Sequence, residues 1–172
     1  MKKILIIFMF LFLLTGCGKN NNELVMVTEA GFAPYEYYED GKIVGVDIDI
    51  AEEIAKKMGK KLVIKDVAFD SIINEEKSNN SDFGAAGISY SEEREKEVDF
   101  SINYTTSKQV VVIKKDSGIT VDNLDGKKIA VQLGSIGDGY VTSNYKKSEI
   151  VIQKKYLQAI EDLKSDKVDC VV

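Results

Sequence analysis

Residues 69–100 constrain this chain more than any other stretch. At their centre stands Gly84-Ala85-Ala86-Gly87-Ile88-Ser89-Tyr90-Ser91-Glu92-Glu93-Arg94, closed by Val98-Asp99-Phe100-Ser101. Residues 82–86 are mostly small and apolar, which suits the end of a buried strand. Gly87 has no Cβ, so a ligand can approach its backbone closely. Ser91, with Glu92 and Glu93 behind it, reads as an N-cap opening an acidic first helical turn. Arg94 lies on that turn. It is placed to fold back toward the strand end and grip a carboxylate through two parallel hydrogen bonds. A solvated Arg94 paired with Glu93 or Glu97 is the competing reading of the same spacing.

The segments on either side alternate between strand and helix patterns. Residues 24–28 are β-prone, and a loop carrying the only proline, Pro34, follows. Residues 36–39 and 43–46 flank Asp40-Gly41, a hairpin signal. A helix is expected from Asp47, with Ile48, Ala51, Ala55 and Met58 on one face and Gly59 as its stop. Asp47 and Asp49 read as helix N-terminal charges that favour the dipole. Residues 61–66 alternate as a strand around Leu62 and Ile64, and Ser71 is expected to cap a short helix. Strand, helix, strand, helix, strand argues for a parallel α/β sheet, and ligands on such sheets sit beyond the carboxyl ends of the strands.

In the second half, residues 109–113 are an apolar β-branched run expected to form a buried strand. Residues 128–131 form another, ending at Gln132-Leu133-Gly134-Ser135-Ile136-Gly137. A strand, a Gly-Ser corner and a helix start together make an anion site from backbone N–H groups and the dipole. No Gly-Lys-Ser/Thr ending is present, so this is not a phosphate loop. Residues 149–153 read as a strand. Leu157, Ile160 and Leu163 give a helical face, and residues 169–172 begin a last strand.

Composition narrows the function classes. The 172 residues are 44% hydrophobic and 30% charged, a globular balance, with a formal charge of −5. Lys and Arg are scattered rather than striped, which argues against nucleic acid as a partner. Without histidine, and with its two cysteines far apart, the chain excludes a zinc site of usual spacing and any Ser-His-Asp or Cys-His catalytic arrangement. No cofactor is called for. Cys170 reads as a small buried apolar residue.

Met1-Lys2-Lys3 is positive and residues 4–14 are unbroken apolar. That run falls short of the about 20 residues needed to span a bilayer, but it suits a signal peptide over residues 1–16. Leu14-Thr15-Gly16-Cys17 is similar to the bacterial lipobox, in which cleavage leaves Cys17 at the new terminus carrying lipid. An ordinary secretory signal with an incidental cysteine is the alternative. Residues 17–22 would then be the lipidated Cys and a polar tether. Acyl chains bury about 0.8 kcal/mol per methylene, so a multiply acylated Cys17 anchors stably.

The motifs together resemble the bacterial extracellular solute-binding proteins of family 3, which capture amino acids for ABC importers. The family's Gly-x-Thr-x-Thr-x-x-Arg run matches residues 87–94, with Ser89 and Ser91 keeping both hydroxyls, and its Val-x-Phe-Ser close matches residues 98–101. Its aromatic-x-Pro-aromatic loop matches Phe32-Ala33-Pro34-Tyr35, and its Gly-x-x-x-Gly-x-Asp-x-Asp run matches residues 41–49. The resemblance implies a type II periplasmic-binding-protein-like α/β fold of two lobes joined by a hinge. Lobe one would cover residues 23–107, the hinge crossing 108–113, and lobe two 114–172.

By resemblance Arg94 and Ser135 take the ligand α-carboxylate. Gly87 and Ser89 take its ammonium, and Phe32 and Phe69 sandwich it; core packing is the alternative for either Phe. Glu29 reads the side chain, weakly favouring a polar or basic one; a solvated loop Glu29 is its alternative. Ile136 stands where the family is usually small or hydroxylic, so one hydrogen bond is expected to be missing. Family members continue beyond the counterpart of Val172 with an aspartate for the ammonium and a second hinge crossing, so the second lobe and return segment are expected to be incomplete. The implied partners are a free amino acid, permease subunits of an ABC transporter, and the bacterial cell membrane through Cys17, with the protein a monomer outside the cytoplasm. A sensor module, a cyclohexadienyl-dehydratase-like enzyme with Glu29 as its acid or base, and a non-functional remnant are the alternatives.

Overall fold

The structure is a computed structural model that describes residues 21–172. The expected signal peptide and Cys17 lie outside the described residues. Two mainly parallel sheets carry the fold, and each is organised round one largely buried strand.

In the first sheet that strand is β1 (Glu23–Thr28), in the order β4-β1-β5. It lies between β4 (Lys61–Asp66), with Met26 opposite Ile64, and β5 (Phe83–Gly84), with Met26 also opposite Phe83. Leu24 through Thr28 are all buried. A parallel strand covered on both faces reads as a continuous apolar run rather than an alternating one. The hairpin of β2 (Tyr37–Glu39) and β3 (Lys42–Val44) turns through Asp40 and Gly41, both at positive φ, the geometry of an Asp-Gly turn.

The helix α1 (Val46–Lys57) buries Asp47, Ile48, Ala51 and Ala55. Gly45 caps it at φ +133, where a Cβ would stand 2.2 Å from the Tyr35 carbonyl. Val46 and Asp47 donate their N–H groups to the carbonyls of Pro34 and Tyr35, which ties the helix start to the proline loop. Met58 departs from expectation. It is 54% exposed, because the helix ends at Lys57 and the chain turns at Gly59 before Met58 reaches the sheet. Ser71 is also different: a 3-10 turn over Phe69–Ser71 runs directly into α2 (Ile72–Lys77), so the Ser71 backbone is helical and its side chain caps nothing.

The second sheet has the order β6-β9-β7-β8. Its central strand β7 (Lys128–Gln132) is parallel to β8 (Glu149–Gln153) and to β9 (Cys170–Val171). On one face Ile129, Val131, Cys170 and Val172 pack with Val141 of α4 (Ile136–Asn144). On the other, Ala130 and Val171 pack with Ala159 and Leu163 of α5 (Tyr156–Lys164). Cys170 is a free thiol with no exposure, and burial pushes its pKa up to about 11. The strand expected over residues 109–113 is shorter and wetter than its composition implied. Only β6 (Val112–Ile113) is formed, antiparallel to β9, and both residues are exposed. It is an edge strand against a two-residue partner, so only Val111 reaches the core.

Candidate functional site

The carboxyl ends of four strands meet at one cavity, as expected for sheets of this kind. Beyond β1 come Glu29 and Phe32. Beyond β5 come Gly87, Ser89 and, on the single turn α3 (Glu92–Glu95), Arg94. From β7 come Gln132 and Ser135, and from the β8–α5 junction Tyr156. With Phe69 these residues line a cavity of about 50 Å³, joined by Glu36, Ala86, Ser107, Gln109 and Ile136. All seven expected ligand contacts, Glu29, Phe32, Phe69, Gly87, Ser89, Arg94 and Ser135, are therefore at one place.

Arg94 takes its position from its own turn. Ser91 is the N-cap, its hydroxyl accepting the Arg94 N–H at 3.2 Å. The guanidinium folds back as expected. Nη1 donates to the Ser89 carbonyl at 2.6 Å, and Nη2 reaches across the cavity to the Gly134 carbonyl at 2.9 Å. Its carbon lies 5.6 Å from the centre of the Phe69 ring, within cation–π range. Glu97 is paired with Lys77 instead, and among the described residues Arg94 makes no ion pair. Burial pulls the guanidinium below its ordinary pKa. A guanidinium has more donors than two carbonyls use, so a half-buried cation without a counter-ion here is a site for an anion.

Gly87 sits at φ +54, and a Cβ there would stand 3.1 Å from the Phe32 ring. Its N–H donates to Asp47 Oδ2 at 2.8 Å, and the other carboxylate oxygen of Asp47 accepts from the Tyr104 hydroxyl at 2.8 Å. Asp47 lies in the first turn of α1, as its reading as a helix N-terminal charge expects; it is also 1% exposed and holds the Gly87 loop in place. An ammonium is donor-only, so the Gly87 carbonyl is the backbone group that can face it.

Ser135 is the N-cap of α4, accepting the Asp138 N–H at 3.0 Å, while Asp138 accepts the Gly134 N–H at 3.0 Å. Asp138 thus occupies part of the corner expected to hold an anion. What the corner presents to the cavity is Ser135 and Ile136.

The opposite wall is acidic. Glu29 is 2% exposed. Its Oε2 accepts from Gln132 Nε2 at 3.3 Å, and its Oε1 lies 3.3 Å from Lys155 Nζ. Lys155 also approaches Asp66 Oδ2 at 3.6 Å. Glu36, absent from the expected set, is 1% exposed. Burial first, then the charge and hydrogen bonding of Asp47 and the charge of Glu29, push its pKa up to about 10, so Glu36 is a neutral acid near pH 7. Among the described residues Glu36 Oε2 is buried without a hydrogen-bond partner, and in proteins such an atom calls for an explanation; Glu29 Oε1 has the Lys155 ammonium. Phe32 stacks on Tyr156 at 5.8 Å and on Tyr35 at 5.6 Å.

The missed residues differ in how visible they were. Glu36 is an acid set among Tyr35, Tyr37 and Tyr38, and Gln132 is a polar end to an apolar strand; both are sequence signals. Lys155 and Tyr156 had none, because only the parallel pairing of β8 with β7 brings them here.

The chain matches the bacterial extracellular solute-binding proteins, family 3, over residues 24–171. It belongs to that family. It is 36% identical over 171 residues to the arginine-binding extracellular protein ArtP of Bacillus subtilis, covering 94% of this chain and 67% of that one. An ancestral arginine-binding protein bound to arginine superposes with a TM-score of 0.83 at 39% identity, over 88% of this chain and 69% of the other. The same TM-score, 0.83, is found for an ancestral arginine-binding protein bound to glutamine, at 38% identity over 89% and 69%. The fold is the type II periplasmic-binding-protein architecture these neighbours share. The chain spans 57% to 60% of the length of several other curated relatives.

Proposed function

We propose that this family 3 protein captures a free α-amino acid outside the cytoplasm and delivers it to the permease subunits of an ABC importer. The observation that carries this is the polarity of the cavity. Among the described residues the Arg94 guanidinium, on one wall, has no counter-ion, and the opposite side offers acceptors in Gly87, Ser89 and Glu29, the last of them shared with Lys155. An α-amino acid carries one charge of each sign. Arg94 and Ser135 take its carboxylate, the Gly87 carbonyl and Ser89 take its ammonium, Phe32 and Phe69 flank it, and Glu29 meets the side chain. Relatives held with arginine and with glutamine support an amino acid as the ligand class.

The two walls already touch through the Arg94–Gly134, Gln132–Glu29 and Phe32–Tyr156 contacts. A cavity of about 50 Å³ must open before an amino acid enters, which fits two lobes, residues 23–107 and 114–172, hinged at 108–113. Lipidated Cys17 anchors the monomer to the bacterial membrane beside its permease. We read the site as one for binding rather than catalysis, in line with the solute-binding family to which the chain belongs.

The test is isothermal titration of the purified chain with a panel of amino acids, repeated on Arg94→Ala. Leaving buried partners of a charge pair unmatched costs about 2–5 kcal/mol, so affinity should fall by about thirtyfold or more while the circular dichroism spectrum is kept. Unchanged affinity in the variant would sink the assignment.

A further inference from the structure

The amino-acid reading leaves one buried acid of the cavity without a task. Glu36 lines the cavity and is 1% exposed, and its Oε2 has no hydrogen-bond partner among the described residues. Its backbone exchanges two hydrogen bonds with Phe32, at 2.8 and 3.2 Å, which fixes the residue beside a ring that flanks the ligand. The charges that face it are negative: Asp47 from the first turn of α1 and Glu29 from the end of β1. The Tyr104 hydroxyl, held protonated by burial and by Asp47, already donates to Asp47. Lys155 divides its one charge between two carboxylates, Glu29 at 3.3 Å and Asp66 at 3.6 Å. Arg94 stands with Ser89 and Gly134 and has the ligand carboxylate to meet. Three acids, Glu29, Glu36 and Asp47, thus share one buried region, and burial there keeps Glu36 a neutral acid while the cavity is empty.

We propose that the cavity takes up an amino acid with a cationic side chain in exchange for the Glu36 proton, so that loading by such a ligand releases one proton and loading by a neutral amino acid releases none. The inference rests on the amino-acid-binding reading above. In the exchange the Glu36 O–H bond breaks, its electron pair stays on the carboxylate, and the proton passes to water while the cavity is open. The ligand guanidinium or ammonium then donates to that carboxylate, and a nearby opposite charge is what favours the ionised form of a buried acid. A neutral carboxamide can donate to Oε2 but brings no charge. Beside Asp47 and Glu29 the acid then keeps its proton.

The experiment is calorimetric titration of the wild-type chain and Glu36→Gln with L-arginine and L-glutamine, over about pH 6 to 8 and in two buffers of different ionisation enthalpy at each pH. Arginine should bind wild type with release of about one proton and an affinity that rises about tenfold per pH unit. Glutamine shares the α-groups and controls for their titration; it should show neither effect. In Glu36→Gln the proton release on arginine binding and its pH slope should both vanish. The contrast between the two ligands on wild type stands without the variant. Arginine binding with no proton release, equal release with glutamine, or release that persists in Glu36→Gln overturns the inference while leaving the amino-acid site standing. Binding of glutamine but not arginine does the same. No binding of either ligand or of the wider panel by wild type overturns both.

Discussion

Glu36 gives the most quantitative prediction. Its carboxyl group is 1% exposed beside Asp47 and Glu29, and its pKa is raised from 4.5 to about 10. The folded protein therefore holds a proton that the unfolded chain releases throughout that window. Stability from this group is fully present below the unfolded pKa and is lost as pH rises toward the folded one. The slope is about 1.4 kcal/mol per pH unit. At about pH 7.5, some three units above the unfolded value, keeping the proton costs the fold about 4 kcal/mol. Glu36→Gln keeps the shape and a donor for Asp47 but has no proton to lose. It should stabilise the chain by about 2–4 kcal/mol at that pH, and by almost nothing at about pH 4.5. Urea denaturation followed by circular dichroism at several pH values, at fixed ionic strength, gives the difference directly. A difference between wild type and variant that stays constant from about pH 5 to 9 would refute the argument, because a carboxyl that titrates normally has no such dependence.

Two further substitutions probe the Gly87 loop. Gly87→Ala forces an L side chain to φ +54 against the Phe32 ring; it should cost about 1–2 kcal/mol in urea midpoint and weaken amino-acid binding in titration, and unchanged affinity would mean that Phe32 does not flank the ligand. Asp47→Ala orphans the Gly87 N–H; it should cost about 1–3 kcal/mol and speed hydrogen exchange at the Gly87 amide, whereas an amide as protected as in wild type would show that the loop is held by something else.

Local signals were legible where one side chain or one turn decides the outcome. The Asp40-Gly41 hairpin, the Ser91 cap and the buried strand of residues 24–28 each depend on short-range geometry, and each is present. The gathering of seven distant site residues was legible only because the motif order resembles a known family; nothing in their spacing places Ser135 opposite Arg94. Errors came where tertiary context overrode composition. The apolar run of residues 109–113 has too little sheet beside it to be buried. Asp47 is in the first turn of its helix as read; what its sequence did not carry is that it also accepts from the Tyr104 hydroxyl and the Gly87 amide, 57 and 40 residues away. Lys155 was invisible because a lysine before a helix is ordinarily solvated, and only the register of two parallel strands turns it toward Glu29.

The buried acids of this site are linked, and the link explains why a neutral carboxyl sits in an acidic chain. Gly87 needs a fixed acceptor for its N–H, since a positive-φ residue at a cavity wall has no strand partner to hold it. Asp47 supplies one from the first turn of α1 and is thereby placed within the same buried region as Glu36. The same turn of helix that shapes the loop thus adds to the burial that pushes Glu36 up to about 10. Glu29, whose charge also bears on Glu36, is met from the other sheet by Lys155.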